Sequence, residues 1–374
     1  PYTVLSETMN SGIPGIFANL GIPAFFQDML EYKMMNYDPI NPLLKQVHWK
    51  YGAQILKAAY IAAQTPNLYP VYITSFKCSP DSFCVDYFKQ IMEEYNKPYL
   101  VLELDEHDSS VGYETRVEAA IQAFGNHMKT SENDHAAQSF NINSTYCKSL
   151  DSKTVIFPNW DDYTGRLIVS IMKREGINAV LMEETEATIK QSLLTNTGQC
   201  IPLNAVASGF IHTVQRLGLD PSKTALWLNQ SDIACNIRMY PHHIKRILER
   251  EGNGFETAHI YIGELSLFDI SVNAAKNAYF GYMFGGLIKS IVCRIRPYEI
   301  SKGETDSVSD QVMSIMERAF EHGLDKEKAL SEALTLFSGI ERDHDPKPKV
   351  GIFGDLYIRD NAIINQDLIR FIQA

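Results

Sequence analysis

The sequence is short of cysteine, of tryptophan and of positive charge, and it contains no long apolar run. Six cysteines scattered over 374 residues are too sparse for the disulfide framework of a small secreted domain, so reduced thiols in a cytoplasm are expected. Structural zinc sites supply close pairs with two to four residues between ligands. The nearest pair here, Cys78 and Cys84, has five between them, and the ferredoxin spacing is absent too. With 34 basic against 45 acidic side chains the net charge is -11, which argues against nucleic acid or an anionic membrane as partner. No stretch approaches the roughly 18 apolar residues of a spanning helix. The best candidate, Ala278 to Val292, is interrupted by Gly281, Gly285, Gly286 and Lys289 and reads as a buried helix. The opening PYTVLSETMN has no basic region followed by an apolar one, so no secretory leader is expected. It has no initiator Met either, which fits a processed chain or a piece of a longer one. Neither a P-loop nor GxGxxG occurs, so neither a P-loop ATPase nor a nicotinamide site gains support.

What is present is 45% hydrophobic and 21% charged residues, enough to bury the cores of two, or three, domains of ordinary size. Short apolar runs alternate with amphipathic segments, the pattern of an α/β protein with parallel strands. Strands are predicted at Pro70 to Thr74, Tyr99 to Leu104, Thr154 to Pro158, Ala179 to Met182, Thr224 to Leu228, His259 to Ile262 and Lys349 to Phe353. Helices are predicted at Leu44 to Ala63, Ser82 to Tyr95, Tyr113 to Asn126, Gly165 to Glu175, Asn204 to Leu217 and Tyr240 to Glu251, where apolar residues recur three and four apart. The polar break from Lys129 to Ser152 divides residues 1–148, carrying Cys78, from residues 149–374, carrying Cys200 and Cys235, with a further subdivision near 220. Helices dominate from Ser266 to Gly339, and PKVGIFGDLYIRDNAIINQDLIRFIQ reads as a closing strand-helix unit.

Three cysteines repeat one topological position. Cys78 follows the strand PVYITSF and precedes a helix start marked by SPDS, with Ser79 or Asp81 able to cap the first turn. Cys200 sits in TNTGQCIPLNAVASGF, where a Gly loop runs into Pro202 and a helix. Cys235 follows the strand TALWLN through a loop and precedes the helix of MYPHHIKRILERE. In open α/β sheets ligands bind beyond the carboxyl ends of the strands, where distant parts of the chain converge. Helix N-termini there favour thiolates and bound anions. Three such thiolates suit an iron-sulfur cluster with one iron left open, whereas a cysteine taken singly reads equally well as a small core residue.

At these residues the sequence resembles the 2-hydroxyacyl-CoA dehydratase superfamily, and in particular the dehydratase-subunit-like region of acyl-CoA dehydratase activase-related proteins. The resemblance runs in order through GIPGIFANLGIPAFFQDML, HWKYGAQIL, SFKCSPDSF, LELDEHDSSVGYETRVEAAIQAF, TGQCIPLNAVASG, CNIRMY, RPYE and PKVGIFGDLYIRDNAIINQDL. It implies Rossmann-like or flavodoxin-like parallel-sheet domains with a cluster cleft between them and a helical late segment. It also implies a 4Fe-4S cluster, or in one branch a double-cubane 8Fe cluster, held by Cys78, Cys200 and Cys235. An ATP-hydrolysing iron-sulfur activator would charge that cluster, and the chain would form a homodimer or a heterodimer with a related subunit. Where the family often has Cys-Gly-Pro-Asp, this chain has Cys78, Ser79, Pro80, Asp81; where it often has Gly-Pro-Cys-Arg, this chain has Ile233, Ala234, Cys235, Asn236. Those changes bear on the surroundings of the cluster and leave the thiols in place. No actin-like phosphate loop is present, so the activator is expected to act in trans.

The remaining cysteines lack the strand-end setting. Cys84, on a helix face with Phe83 and Phe88, reads as core packing and Cys293 as structural. Cys84, Cys147 and Cys293 would complete six thiolates only if two cubanes were held. The cluster Glu103, Asp105, Glu106, His107 and Asp108 suits a divalent metal or acid-base work, or simply a solvated loop before a helix. Arg116 and Glu118 read as an internal pair, and Arg296 and Glu299 of RPYE as ties between the late helices and the cleft. GIFGDLY, with two glycines after a predicted strand, is a weak sign of close backbone approach to a ligand. The function implied is low-potential reductive or radical chemistry on an acyl-CoA-like or other small substrate. The alternatives are a cluster-carrying electron-transfer or scaffold subunit, and a metal-free α/β binding module.

Overall fold

The computed structural model describes residues 2–75, 79–104, 110–130, 146–195, 200–229 and 235–374. The chain divides into two compact units. One comprises Pro1–Ser144, Thr197–Cys200 and Ser231–Met239; the other comprises Thr145–Asn196, Ile201–Gln230 and Tyr240–Ala374.

In the first unit α1 (Ile13–Asn19), α2 (Lys50–Gln64), α3 (Pro80–Glu94) and α4 (Ser110–Thr130) surround a parallel pair, β1 (Val71–Thr74) and β2 (Leu100–Glu103). The register is Val71 to Leu100 through Thr74 to Glu103. Because the strands are parallel, the chain after Thr74 and the chain after Glu103 leave from one edge of the sheet. Ile13, Phe17, Leu102, Tyr113 and Val117 form one core, between α1, β2 and α4. Helices α2 and α3 pack on one another, and α3 also meets β1, where Phe88 lies 4.9 Å from Tyr72. The predicted helix from Leu44 to Ala63 is two pieces, a short turn Asn41–Gln46 and α2, because Val47 and Trp49 take extended backbone between them.

The second unit is built on a four-stranded parallel sheet of β3 (Thr154–Phe157), β4 (Ala179–Leu181), β5 (Thr224–Asn229) and β6 (His259–Gly263), in the order β4-β3-β5-β6. Around it lie α5 (Asp162–Arg174), α6 (Glu186–Leu194), α7 (Ile201–Arg216), α8 (Tyr240–Glu251), α9 (Val272–Ile295), α10 (Glu304–His322) and α11 (Lys326–Ser338). Every residue of β5 is buried, as expected of a central parallel strand covered on both faces. Val155, Phe157 and Trp227 share one face with α5, α9, α10 and α11 in a single core that includes Leu167, Ile171, Ala278, Phe284, Ile288, Met316 and Phe320. Phe157 stacks on Trp227 at 4.8 Å, and Trp227 meets Tyr261 at 4.9 Å, so one aromatic row crosses β3, β5 and β6. Helices α7 and α8 pack on each other, and short helices α12 (Leu356–Asp360) and α13 (Leu368–Gln373) close the chain.

The α/β fold with parallel sheets and a helical late segment is therefore present, with three differences. Lys349–Phe353 is not a strand: Pro346 and Pro348 lie just before it and among the described residues it pairs with no strand, so most of its side chains stay outside, with Ile352 half-buried and Phe353 92% exposed. The helix Ala278 to Val292, inside α9, buries only one face and leaves Tyr279, Tyr282, Met283 and Leu287 exposed. The segments Thr197–Cys200 and Ser231–Met239 group with the first unit, although both are flanked in sequence by the second. None of the described helices is long and apolar enough to cross a membrane.

Candidate functional site

Cys78 and its neighbours 76–77 lie outside the described residues, but the positions on either side are held to each other. The Thr74 hydroxyl at the end of β1 donates to the Asp81 carboxylate in the first turn of α3 at 2.9 Å. The Tyr72 hydroxyl donates to the Asp81 carbonyl at 2.7 Å. Asp81 thus ties strand to helix instead of capping its own turn, and Ser79 is the N-cap residue. Cys200, half-buried, is the residue before α7, where the helix amino end favours an anion. Helix α7 meets the carboxyl end of β4 where Thr213 accepts from the Glu183 N–H at 3.1 Å. From there its first turns extend up to about 18 Å at 1.5 Å per residue. Cys235, exposed, opens the 3-10 turn Asn236–Met239, whose Asn236 and Met239 are buried and which packs against α3, the helix after Cys78.

The other cysteines sit differently. Cys84 is fully buried on α3, and its Sγ lies 3.1 Å from where a Cβ on Gly52 would stand, so Gly52 is what lets α2 come close. Burial, with Asp81 adding to it, pushes the Cys84 thiol far above its ordinary range, and it stays protonated. Cys147 lies at the open edge of the second sheet, where Tyr146 bridges Ile260 in parallel. Its N–H donates to the Ile260 carbonyl at 3.0 Å, and burial raises its thiol against the pull of Lys153. Cys293 is half-buried on α9, and its carbonyl accepts from the Gln373 side chain at 3.3 Å. Among the described residues no group of three His, Cys, Asp or Glu is placed to hold a metal ion.

Residues 105–109 of the acidic cluster lie outside the described residues, and Glu103 is exposed at the end of β2. Arg116 and Glu118 are exposed on α4. In RPYE the two charges work apart. Arg296 pairs with Asp306 of α10 at 2.6 Å and donates to Gln373 of α13 at 2.8 Å. Glu299 accepts from the Gly303 and Thr305 N–H groups at 2.8 and 2.7 Å. Burial alone would raise the Glu299 carboxyl, but these donors outweigh it and hold it below the ordinary range.

Sequence reasoning missed a polar network at the carboxyl edge of β3 and β4. Asn361, at the end of α12, donates from one side-chain nitrogen to the Asn159 carbonyl after β3, at 3.0 Å, and to the Glu184 carboxyl after β4. Its own oxygen accepts from the Ile363 and Ile364 N–H groups. Glu184 is 8% exposed. Burial pushes its carboxyl up to about 8, with the Asn361 donor opposing, so it is a neutral acid at pH 7. One Glu184 oxygen, the Asn159 side-chain oxygen and the Tyr357 hydroxyl are buried without a hydrogen-bond partner among the described residues. Beside them Lys289 of α9 bridges Asp161 at 3.0 Å and Asp360 at 2.7 Å, and Asp161 caps α5 by accepting from the Thr164 N–H. The signal was present in NWDD and MEET, acidic and amide residues directly after strands. Their burial is set by the distant segment RDN, which no spacing links to them.

A cleft of about 640 Å³ lies at the other end of this sheet, lined by Lys153, Thr154, Glu175, Asn178, Tyr261 and Asp269. It is remote from the strand ends at which α/β sheets bind ligands. Comparison of the chain with protein-family models, with curated proteins and with solved structures finds no match.

Proposed function

We propose that this chain is an iron-sulfur protein of the 2-hydroxyacyl-CoA dehydratase kind, with Cys78, Cys200 and Cys235 as cluster ligands. One observation carries the reading. The segments that bear Cys200 and Cys235, far apart in sequence and each at a helix start, both group with the compact unit whose helix α3 follows Cys78. The packing of Asn236–Met239 on α3 supports it, as do the ordered motifs from SFKCSPDSF to PKVGIFGDLY. The donor set fits a cluster in kind: two accessible or half-accessible thiols in loops, set apart from the buried thiol of Cys84. When bound, such a cluster supplies a low-potential electron and an iron open to a substrate group.

The chain's own residues position and protect. Thr74 and Asp81 tie together the described residues on either side of Cys78, and the start of α7 offers partial positive charge beside Cys200. Glu184 holds a proton at neutral pH at a strand carboxyl edge, where a neutral acid can donate as well as accept. The activator is a separate ATP-hydrolysing iron-sulfur protein, the compartment is cytoplasmic, and the working form is a homodimer or a heterodimer with a related subunit. A 4Fe-4S cluster is proposed, with the double-cubane as its variant.

Anaerobic purification followed by iron and sulfide analysis tests the proposal. About four iron per chain is expected, or about eight for the double-cubane, and colourless protein without iron would overturn it. A change in the EPR spectrum of the reduced protein on adding an acyl-CoA supports the enzyme. A cluster that cycles yet ignores every acyl-CoA tested assigns the chain to electron transfer instead.

A further inference from the structure

We infer that a groove beyond the end of α9 binds a phosphate-bearing organic molecule of the nucleoside diphosphate class. The chain that leaves α11 runs back along the turn that follows α9. The Ile300 N–H donates to the Glu341 carbonyl at 3.1 Å and the Asp343 N–H to the Tyr298 carbonyl at 2.7 Å, while Glu299 and Arg342 pair as an antiparallel bridge. The Lys347 N–H donates to the Tyr298 hydroxyl at 3.3 Å, and the Lys347 ammonium stands 5.6 Å from the centre of that ring. These two segments line a groove of about 620 Å³, within the range of small-molecule sites. Pro297 in the lining and Pro346 and Pro348 on either side of Lys347 each fix a backbone angle. The groove is therefore largely formed before a ligand enters, which lowers the ordering that binding requires.

The lining is of two kinds. Pro297, Tyr298 and Ile300 are apolar, whereas Lys302, Arg342 and Lys347 bring three cations to the same groove. Two carboxylates line it as well, and both are engaged by backbone donors. Glu299 accepts from the Gly303 and Thr305 N–H groups, and Asp343 accepts from the Asp345 N–H at 3.0 Å. Lys302 adds to the hold on Glu299. Among the described residues, however, Lys302, Arg342 and Lys347 form no ion pair. Glu341 and Asp345, the other acids of this segment, do not line the groove.

In a chain of net charge -11, three cations gathered round one groove repel one another, and an anion between them relieves that repulsion. A phosphate suits this set best. The Arg342 guanidinium is a planar fork that matches two phosphate oxygens, and the two lysines add point charges on flexible stems. The groove is larger than a bare phosphate needs, and its apolar residues have nothing to meet on such an ion. An organic phosphate uses both parts of the lining, and a diphosphate spans more of the three cations than a monophosphate does.

The inference rests on residues 297–347 and not on the cluster reading. Calorimetric titration of the full chain, purified anaerobically, should find one ADP bound per chain with a dissociation constant below about 1 mM at about 0.15 M salt. AMP and inorganic pyrophosphate should each bind more weakly than ADP. Arg342→Gln and Lys302→Gln, both at exposed positions, should each weaken ADP by about tenfold and leave the thermal midpoint without ligand unchanged. Lys349→Gln, outside the lining, should leave ADP binding as it is. Cys78→Ala should bind ADP as the wild type does, which separates this claim from the cluster. No binding of ADP, pyrophosphate bound as tightly as ADP, an affinity indifferent to both Arg342→Gln and Lys302→Gln, or an equal loss in Lys349→Gln would overturn the inference.

Discussion

Glu184→Gln should abolish a component of the pH dependence of stability. In the folded protein the Glu184 carboxyl is raised by burial from an ordinary 4.5 to about 8, and the Asn361 donor only partly offsets this. Between those values the folded chain keeps a proton that the unfolded chain releases. The Glu184 contribution is therefore fully present below pH 4.5 and is lost as the pH rises to 8. At about 1.4 kcal/mol per pH unit the window amounts to roughly 5 kcal/mol as an upper bound. Relaxation and entry of water reduce that, so a difference of about 2 to 5 kcal/mol is expected. Glutamine retains an oxygen for Asn361 and cannot ionise. Urea denaturation from pH 5 to 9 should find the two proteins within about 1 kcal/mol at pH 5, and the variant more stable at pH 9 by the full difference. Parallel curves for the two proteins would show that Glu184 is ionised in the folded state and that its burial does not govern it.

Other outcomes follow from the same packing. Cys84→Ser places a hydroxyl at a fully buried position, so it should cost about 1 to 3 kcal/mol in denaturation and leave the iron content unchanged. Lys289→Met strands Asp161 and Asp360 beside one another. A loss of about 2 kcal/mol at pH 7 is expected, shrinking as the pH falls and Asp360, held low chiefly against burial by Arg359 and Lys289, takes up a proton. Phe353→Asp should shift stability by less than about 0.5 kcal/mol, because that ring touches little and lies 92% exposed. A larger loss would mean that the segment Lys349–Phe353 is packed as the strand its sequence suggests.

Six of the seven strands that the sequence announces are present, and the plainest in the sequence are those buried on both faces. TALWLN and TVIF are apolar throughout and lie where expected, in β5 and β3, because a central parallel strand leaves no room for polar alternation. KVGIF has the same local character and is not a strand, since β structure needs a neighbour that local sequence cannot guarantee. The helix α6 went unread because EATIKQSLL carries little apolar periodicity; a capping box at Thr185 and Thr188 holds it instead. At the site, the helix-start setting of Cys200 and Cys235 was legible from Pro202 and from the strand TALWLN. The network of Glu184, Asn361 and Lys289 was not, because burial of a glutamate depends on which distant segment covers it. The exposed face of α9 escaped for a related reason: an apolar helix reads as buried whether one of its faces meets the core or both do.

The most direct test of the central claim is the iron content of six single variants purified anaerobically, each cysteine replaced in turn by alanine. For a single cubane, Cys78→Ala, Cys200→Ala and Cys235→Ala should each lose most of the iron and the associated absorbance, while Cys84→Ala, Cys147→Ala and Cys293→Ala keep it. Iron that survives removal of Cys78, Cys200 or Cys235, or a wild type that binds none, would contradict the assignment.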